Sequence, residues 1–548
     1  MAEKKKRFRT RFGGLFLLLG IGCLFLAGGR GNMSVLTSVR LPDEPESGLV
    51  LRIGVVGNLD GLQPATIRTE AEKLVGSLSF EALTYYDQEQ QALTPLLAES
   101  WSFSEDAHTL TFQLKKEVRF HNGRRMTAAD VKKSWEKSLL TNENWENAHL
   151  VQDIVGSTAF FQGTAADISG IEAKGNELRI SFAKPNVLFP YIITNPLFWV
   201  ADAETKEGIP AGTGAYQMRE RTQDGVKLTA FRKYHTGIPK LGGVEVVSYE
   251  EAEAAAADFQ AGKTAAALPL NGQAARTLEE KGMASLLQEQ PLLEYYMLGF
   301  QLGLRPFAEN TPFRQALNYM VDREGILRDV VGRGFVAAKG PVPQGVKAYR
   351  PQVLGYLYDE GQAADLLQKA GYTGEKWDEK LLLSYHTGDG HRAVLEAVQK
   401  NVENMGAPCQ LREAEWNEYM YQLPRMGYSF FQLSWRADYP DADDFLYSLY
   451  HSENIGVTNY TGFQNPQVDA LLTKARATED EAERIHLQQQ AEDIILDQAP
   501  QLWLFQRTLL WLADEKLEGF RVNVSGWPDW RTVSLRENLQ TDGQEVEK

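Results

Sequence analysis

From Leu97 to Trp135 the chain writes strand, tight turn and capped helix in unbroken succession. Leu110, Phe112 and Leu114 alternate with polar residues, the period of a strand with one buried face. His121, Asn122 and Gly123 supply turn chemistry. Thr127 followed by Asp130 is a helix start of the capping-box type. Val131 and Trp135 then fall four apart, on one helix face. Nothing in this block is catalytic.

A second segment, Tyr428-Ser429-Phe430-Phe431-Gln432-Leu433, is short, apolar and aromatic, and predicts a buried strand. It runs into Ser434-Trp435-Arg436-Ala437-Asp438-Tyr439-Pro440-Asp441-Ala442-Asp443-Asp444-Phe445. Pro440 cannot continue a central ladder, and the acidic residues favour a turn. Asp438 therefore stands where a strand gives way to a loop, a common place for a site. A carboxylate between Trp435 and Tyr439 suits an ammonium group. The same residues also read as an acidic, solvated turn.

The length of 548 residues allows several domains or one large multi-lobed unit. With 57 basic and 73 acidic side chains the net charge is -16, which argues against a nucleic-acid partner. The start is basic, from Lys4 to Arg11, and Gly13 to Gly29 carry no charge. This is the pattern of a secretory signal, and the run is also long enough for an uncleaved membrane anchor. Cys23 follows Leu19-Gly20-Ile21-Gly22. Cys409 is the other cysteine, so the mature part cannot close an internal disulfide. Residues 30–48, rich in Gly, Ser, Pro and Glu, predict a tether.

Taken together, these blocks resemble the extracytoplasmic solute-binding proteins of family 5, the peptide- and nickel-binding receptors of ABC importers. Leu97 to Val131 resembles the family's "LAESW" signature and the strand, turn and helix that follow it. Gly212-Thr213-Gly214-Ala215-Tyr216 is similar to its "GTGPY" turn, with alanine for proline. Phe313 to Arg323 and Asn465 to Asp469 match further blocks. Asn465 reads as a helix N-cap with Pro466 in the first turn, and Thr478 with Glu481 as the start of the next helix. Cys23 resembles a loose lipobox cysteine, with Gly20 where leucine is usual.

The resemblance implies an α/β, bilobed fold of the periplasmic-binding-protein type (type II, cluster C), with an extra subdomain in the N-terminal lobe. It divides the chain into residues 1–29 (signal or anchor), 30–48 (tether), 49–291 (lobe I), 292–505 (lobe II) and 506–548 (return to lobe I and tail), with a hinge near 290 and 507. It implies capture of peptides in an inter-lobe cleft and delivery to a membrane permease, by a monomer held outside the cytoplasmic membrane. In the family the aspartate of the "ADY" segment pairs with the ligand's α-ammonium group, and Asp438 occupies that place. Backbone groups of Ser434 and Arg436, with Trp435, Ala437 and Tyr439 around them, are implied to line the ligand. Trp416 matches a pocket tryptophan, or else is a core aromatic. Gln432 falls where some relatives carry an arginine for the ligand carboxylate. Receptors for nickel chelates, haem or signalling peptides share the fold and stand as alternatives.

Enzyme signatures are missing or broken. The stretch Ala257 to Thr264 lacks the first glycine of a phosphate-binding loop. Ser134 and Lys137 have an acylase spacing but no Lys-Thr-Gly partner. Neither a catalytic residue nor a cofactor is expected. His386 and His391, around Asp389, could ligate a transition metal, yet their glycine-rich setting also suits a flexible turn. Asp441, Asp443 and Asp444 lack the spacing of a calcium loop.

Overall fold

The computed structural model describes residues 48–141, 148–205, 210–372, 377, 380–387 and 392–536. The N-terminal run with Cys23, nearly all of the tether, and Asp389 and His391 lie outside the described residues.

One large mixed sheet crosses the molecule. Its order is Cys409–Ala414, Leu381–His386, Phe430–Arg436, Leu287–Phe300, Gln501–Ala513, Ala266–Leu270, Val50–Val56, Gly243–Tyr249, Gly225–Ala230 and Tyr216–Thr222. The two long central strands, Leu287–Phe300 and Gln501–Ala513, pair antiparallel and serve two different cores. Leu509 and Trp511 pack with Leu51, Ile53, Val55 and Leu74. Leu502, Leu504 and Phe505 pack with Phe313, Leu317 and Leu395. The pairing register shifts between Pro291 and Tyr295, at the point where the chain passes from one core to the other.

A separate four-stranded antiparallel sheet is built from Ala98–Phe103, Thr109–Leu114, Glu177–Ser181 and Ile171–Lys174. The helix Ala128–Leu139 lies on it, and its start is a complete capping box between Thr127 and Asp130. Trp135 is fully buried and its indole N–H donates to Phe198 O at 2.8 Å. The core around this sheet continues into residues 414–503, so Leu188 and Phe189 share one cluster with Tyr439 and Leu446.

The Gly212–Tyr216 turn has a steric reason for its glycines. A Cβ on Gly212 would stand 1.8 Å from Ser79 O, and one on Gly214 would stand 2.6 Å from Leu78 O. Only bare backbone allows the turn to close on the end of the helix Glu70–Ser79. His121 is buried beside it, with Nε2 2.9 Å from Gly214 O, while Gly212 N–H donates to Nδ1 at 3.3 Å. The ring is thus held neutral, and burial lowers its pKa to about 4. The unfolded chain binds a proton at His121 that the folded chain refuses. Stability is therefore fully present above about pH 6.5 and falls as pH drops through 4. His121→Gln is expected to flatten that fall, read as urea midpoints across the range. An unchanged slope would remove His121 as its source.

Three local expectations need correction. The strand predicted to end at Leu433 runs on to Arg436, because Glu294 to Phe300 pairs with it throughout. The acidic turn is not solvated. Asp443 and Asp444 are fully buried and open the helix Asp443–Tyr450, where Arg476 and Tyr439 donate to Asp443 and Trp435 donates to Asp444 Oδ2. Thr478 does not start the helix Glu481–Gln498. Its N-cap is Asp480, which accepts Glu483 N–H at 2.8 Å, while Thr478 Oγ1 donates back to Lys474 O. Asn465 does cap Pro466–Arg476, accepting the N–H groups of Gln467 and Val468.

Candidate functional site

The strand Phe430–Arg436 has one edge covered and one partly open. Its pairing with Leu381–His386 ends at Ser384 and Phe431. There the two strands separate around the Tyr419 hydroxyl, which donates to Gln432 O at 2.6 Å. On the other side, Ala437 N–H donates to Leu293 O at 2.8 Å. Successive residues of a strand face opposite edges. Ser434 and Arg436 therefore turn their backbone groups the same way as Gln432, to an edge with no further strand among the described residues.

That edge leads to Asp438. Its backbone N–H donates to Asp444 Oδ2 at 3.1 Å, and the Trp435 indole donates to the same oxygen at 3.0 Å. Burial, and then the Asp438 charge, push the Asp444 carboxyl well above the usual carboxylate range. Asp444 thus supports the turn by accepting both N–H groups on one oxygen. The side chain of Asp438 is half-buried and is met from across the cleft. His149 Nε2 lies 3.1 Å from Oδ2, and Asn195 Nδ2 donates to Oδ1 at 3.2 Å and to the backbone O at 3.0 Å.

Asp438 shares a cavity with Glu70, Lys73, Glu294, Arg436 and Trp527. Its carboxylates Glu70 and Glu294 pair with two guanidinium groups, of which Arg436 lines the cavity. Arg436 Nη2 is 2.8 Å from Glu294 and 3.2 Å from Glu70. Arg507 pairs with Glu70 and lies 3.1 Å from Glu294. Burial alone would raise Glu294, but Arg436 and Arg507 hold it down at about 2.

A second cavity adjoins the first through Thr194, Ser525 and Trp527. Its walls include Tyr85, Trp199, Tyr234, Trp527 and Trp530, with Trp199 and Trp527 edge to face at 5.4 Å. Its charges are paired internally. Arg531 grips Asp529 at 2.7 Å through both nitrogens, and Glu81 holds the Tyr234 hydroxyl and the His235 ring at 3.0 Å. A paired, aromatic-walled space of this kind takes an apolar group better than a charged one.

Of the residues read from the sequence, Arg436, Ala437, Asp438 and Tyr439 line the first cavity, and Ser434 stands on the open edge. Trp435 and Tyr439 spend their polar atoms on Asp444 and Asp443. Trp416 is 51 % exposed and packs on His386 at 4.7 Å, outside both cavities but on the open-edge side of the strand. Gln432 is buried and donates to Ser434 Oγ at 3.0 Å. Lys73, Glu294, His149, Asn195 and Trp527 were not marked by any local pattern. The adjacency of Glu70 and Lys73 on one helix face was the only signal present.

A family model described as bacterial extracellular solute-binding proteins, family 5 (middle region), matches residues 92–457. An oligopeptide-binding protein, OppA, of Bacillus subtilis (strain 168) is 27 % identical over 441 residues, covering 76 % of this chain and 80 % of its own. Heme-binding protein A of Haemophilus influenzae is 26 % identical over 447 residues, covering 77 % and 80 %. Among solved structures, the unliganded open form of the periplasmic murein tripeptide-binding protein MppA superposes with a TM-score of 0.76 at 25 % identity, over 89 % of this chain and 99 % of its own.

Proposed function

The chain belongs to the family 5 bacterial extracellular solute-binding proteins, and from that premise we propose that it captures short peptides in the cleft at Asp438 and hands them to a membrane permease. The fold is the bilobed α/β fold of those receptors. The observation that carries the peptide reading is the open edge at Ser434 and Arg436, ending in a carboxylate. A peptide can add there as a strand, using backbone bonds that every sequence offers, while its α-ammonium meets Asp438. The aromatic cavity next door would receive a side chain.

In this reading residues 49–291 with 506–548 form one lobe and 292–505 the other, hinged at the crossing strands. The register shift between Pro291 and Tyr295 supports a hinge at that point. The receptor works as a monomer outside the cytoplasmic membrane, tethered through Cys23 or the N-terminal run. A second reading, a non-peptide solute, is favoured by one observation. His149 and Asn195 already satisfy Asp438 without a ligand ammonium.

Native mass spectrometry of the full-length protein isolated from its host tests the choice. A ladder of bound peptide masses is the expected result. One discrete non-peptide mass would move the receptor to the second reading.

A further inference from the structure

Within the cavity at Asp438 each charged side chain has a hydrogen-bonding partner, with one exception. Glu70, Glu294, Arg436 and Arg507 neutralise one another, and Asp438 has His149 and Asn195. Lys73 lines the same cavity, half-buried, and its ammonium makes no ion pair or hydrogen bond to a described residue. Burial first, and then the positive charge of Arg436, lower its pKa to about 8, while Glu70, Asp438 and Glu294 pull the other way. A cation withdrawn from water without a partner is costly to hold. A bound anion would remove that cost.

We propose that Lys73 receives a carboxylate of the ligand, so that the cavity reads a zwitterionic head, with an ammonium on Asp438 and a carboxylate on Lys73. This rests on the peptide-capture reading and narrows it. An ordinary peptide N-terminus offers an ammonium alone and leaves Lys73 unmatched. A head carrying both groups a few atoms apart satisfies both residues and displaces His149 from Asp438. Two kinds of peptide present such a head, one with an acidic first residue and one joined through the side-chain carboxyl of a glutamyl residue.

Calorimetry on the full-length protein, with trialanine, α-glutamyl-dialanine and γ-glutamyl-dialanine as probes, tests this. At least one glutamyl peptide is expected to bind about tenfold or more tighter than trialanine, the worth of one added ion pair in a closed cavity. The tighter of the two identifies the linkage. Lys73→Met should collapse that margin to about twofold or less, Lys73→Arg should restore it, and Lys73→Met should raise the melting temperature of the ligand-free protein. Equal affinity for all three probes, with the Lys73→Met ratio unchanged, would overturn the role of Lys73 and leave peptide capture standing. If trialanine and both glutamyl peptides fail to bind the unmutated protein, peptide capture falls and this inference falls with it.

Discussion

Asp438→Asn weakens peptide binding by about 2–5 kcal/mol, the cost of removing one partner from a desolvated charge pair. The variant keeps the size of the side chain, and an amide still offers an oxygen to Asn195 Nδ2, now 3.2 Å from the carboxylate. The backbone N–H still has Asp444 Oδ2 at 3.1 Å, so the turn stays built. Only the negative charge is lost. The bound ammonium would then lie against a neutral amide, with Lys73 and Arg436 as the nearest cations in the cavity. Folding stability should hardly move, because the removed charge was one of the groups driving up the Asp444 carboxyl. Calorimetry with trialanine reads the effect. A loss below about 0.5 kcal/mol would show that Asp438 makes no buried pair with a ligand charge, since exposed pairs fall in the range of about 0–1 kcal/mol.

The parts of this molecule that were legible in its sequence are those decided within about one helical turn or one strand. The Thr127–Asp130 cap, the Asn465 cap and the alternation of Leu110, Phe112 and Leu114 all depend on neighbours a few residues away. So does the position of Asp438 at the end of a strand. What the sequence concealed depends on distant partners. Asp443 looks like a solvated turn residue until Arg476, 33 positions later, is brought to it. The cavity is assembled from the helix at Lys73, the segment at Asn195, the crossing strand at Glu294 and the turn at Asp438. No local period links these four. Thr478 misled for the opposite reason. Two helix starts compete within three residues, and the carboxylate of Asp480 takes the cap.

Arg476→Met costs about 3–5 kcal/mol of folding stability, the range for stranding one member of a buried ion pair. Arg476 reaches Asp443 through Nη2 at 2.8 Å and Nε at 3.0 Å, and its guanidinium lies 3.4 Å from the centre of the Tyr447 ring. Burial would lower its pKa, but Asp443 raises it well above the ordinary value. Methionine fills much of the space and supplies no charge. Asp443, with no exposed surface, is left with the Tyr439 hydroxyl at 2.7 Å as its remaining side-chain donor. The urea midpoint should fall with an unchanged slope, since the loss is of stability and not of compactness. The double variant Arg476→Met/Asp443→Asn should recover more than half of the loss, because the stranded charge accounts for most of it. A single-variant loss under about 1 kcal/mol would mean that water reaches Asp443 and screens it. The same cluster bears on the cleft. Tyr439 follows Asp438 directly, Arg476 O accepts Val187 N–H at 2.9 Å, and Arg476 Nη1 lies 3.4 Å from Asp153. The guanidinium thus ties Asp443, at the base of the Asp438 turn, to Asp153, so its loss should loosen the carboxylate that a ligand has to find in place.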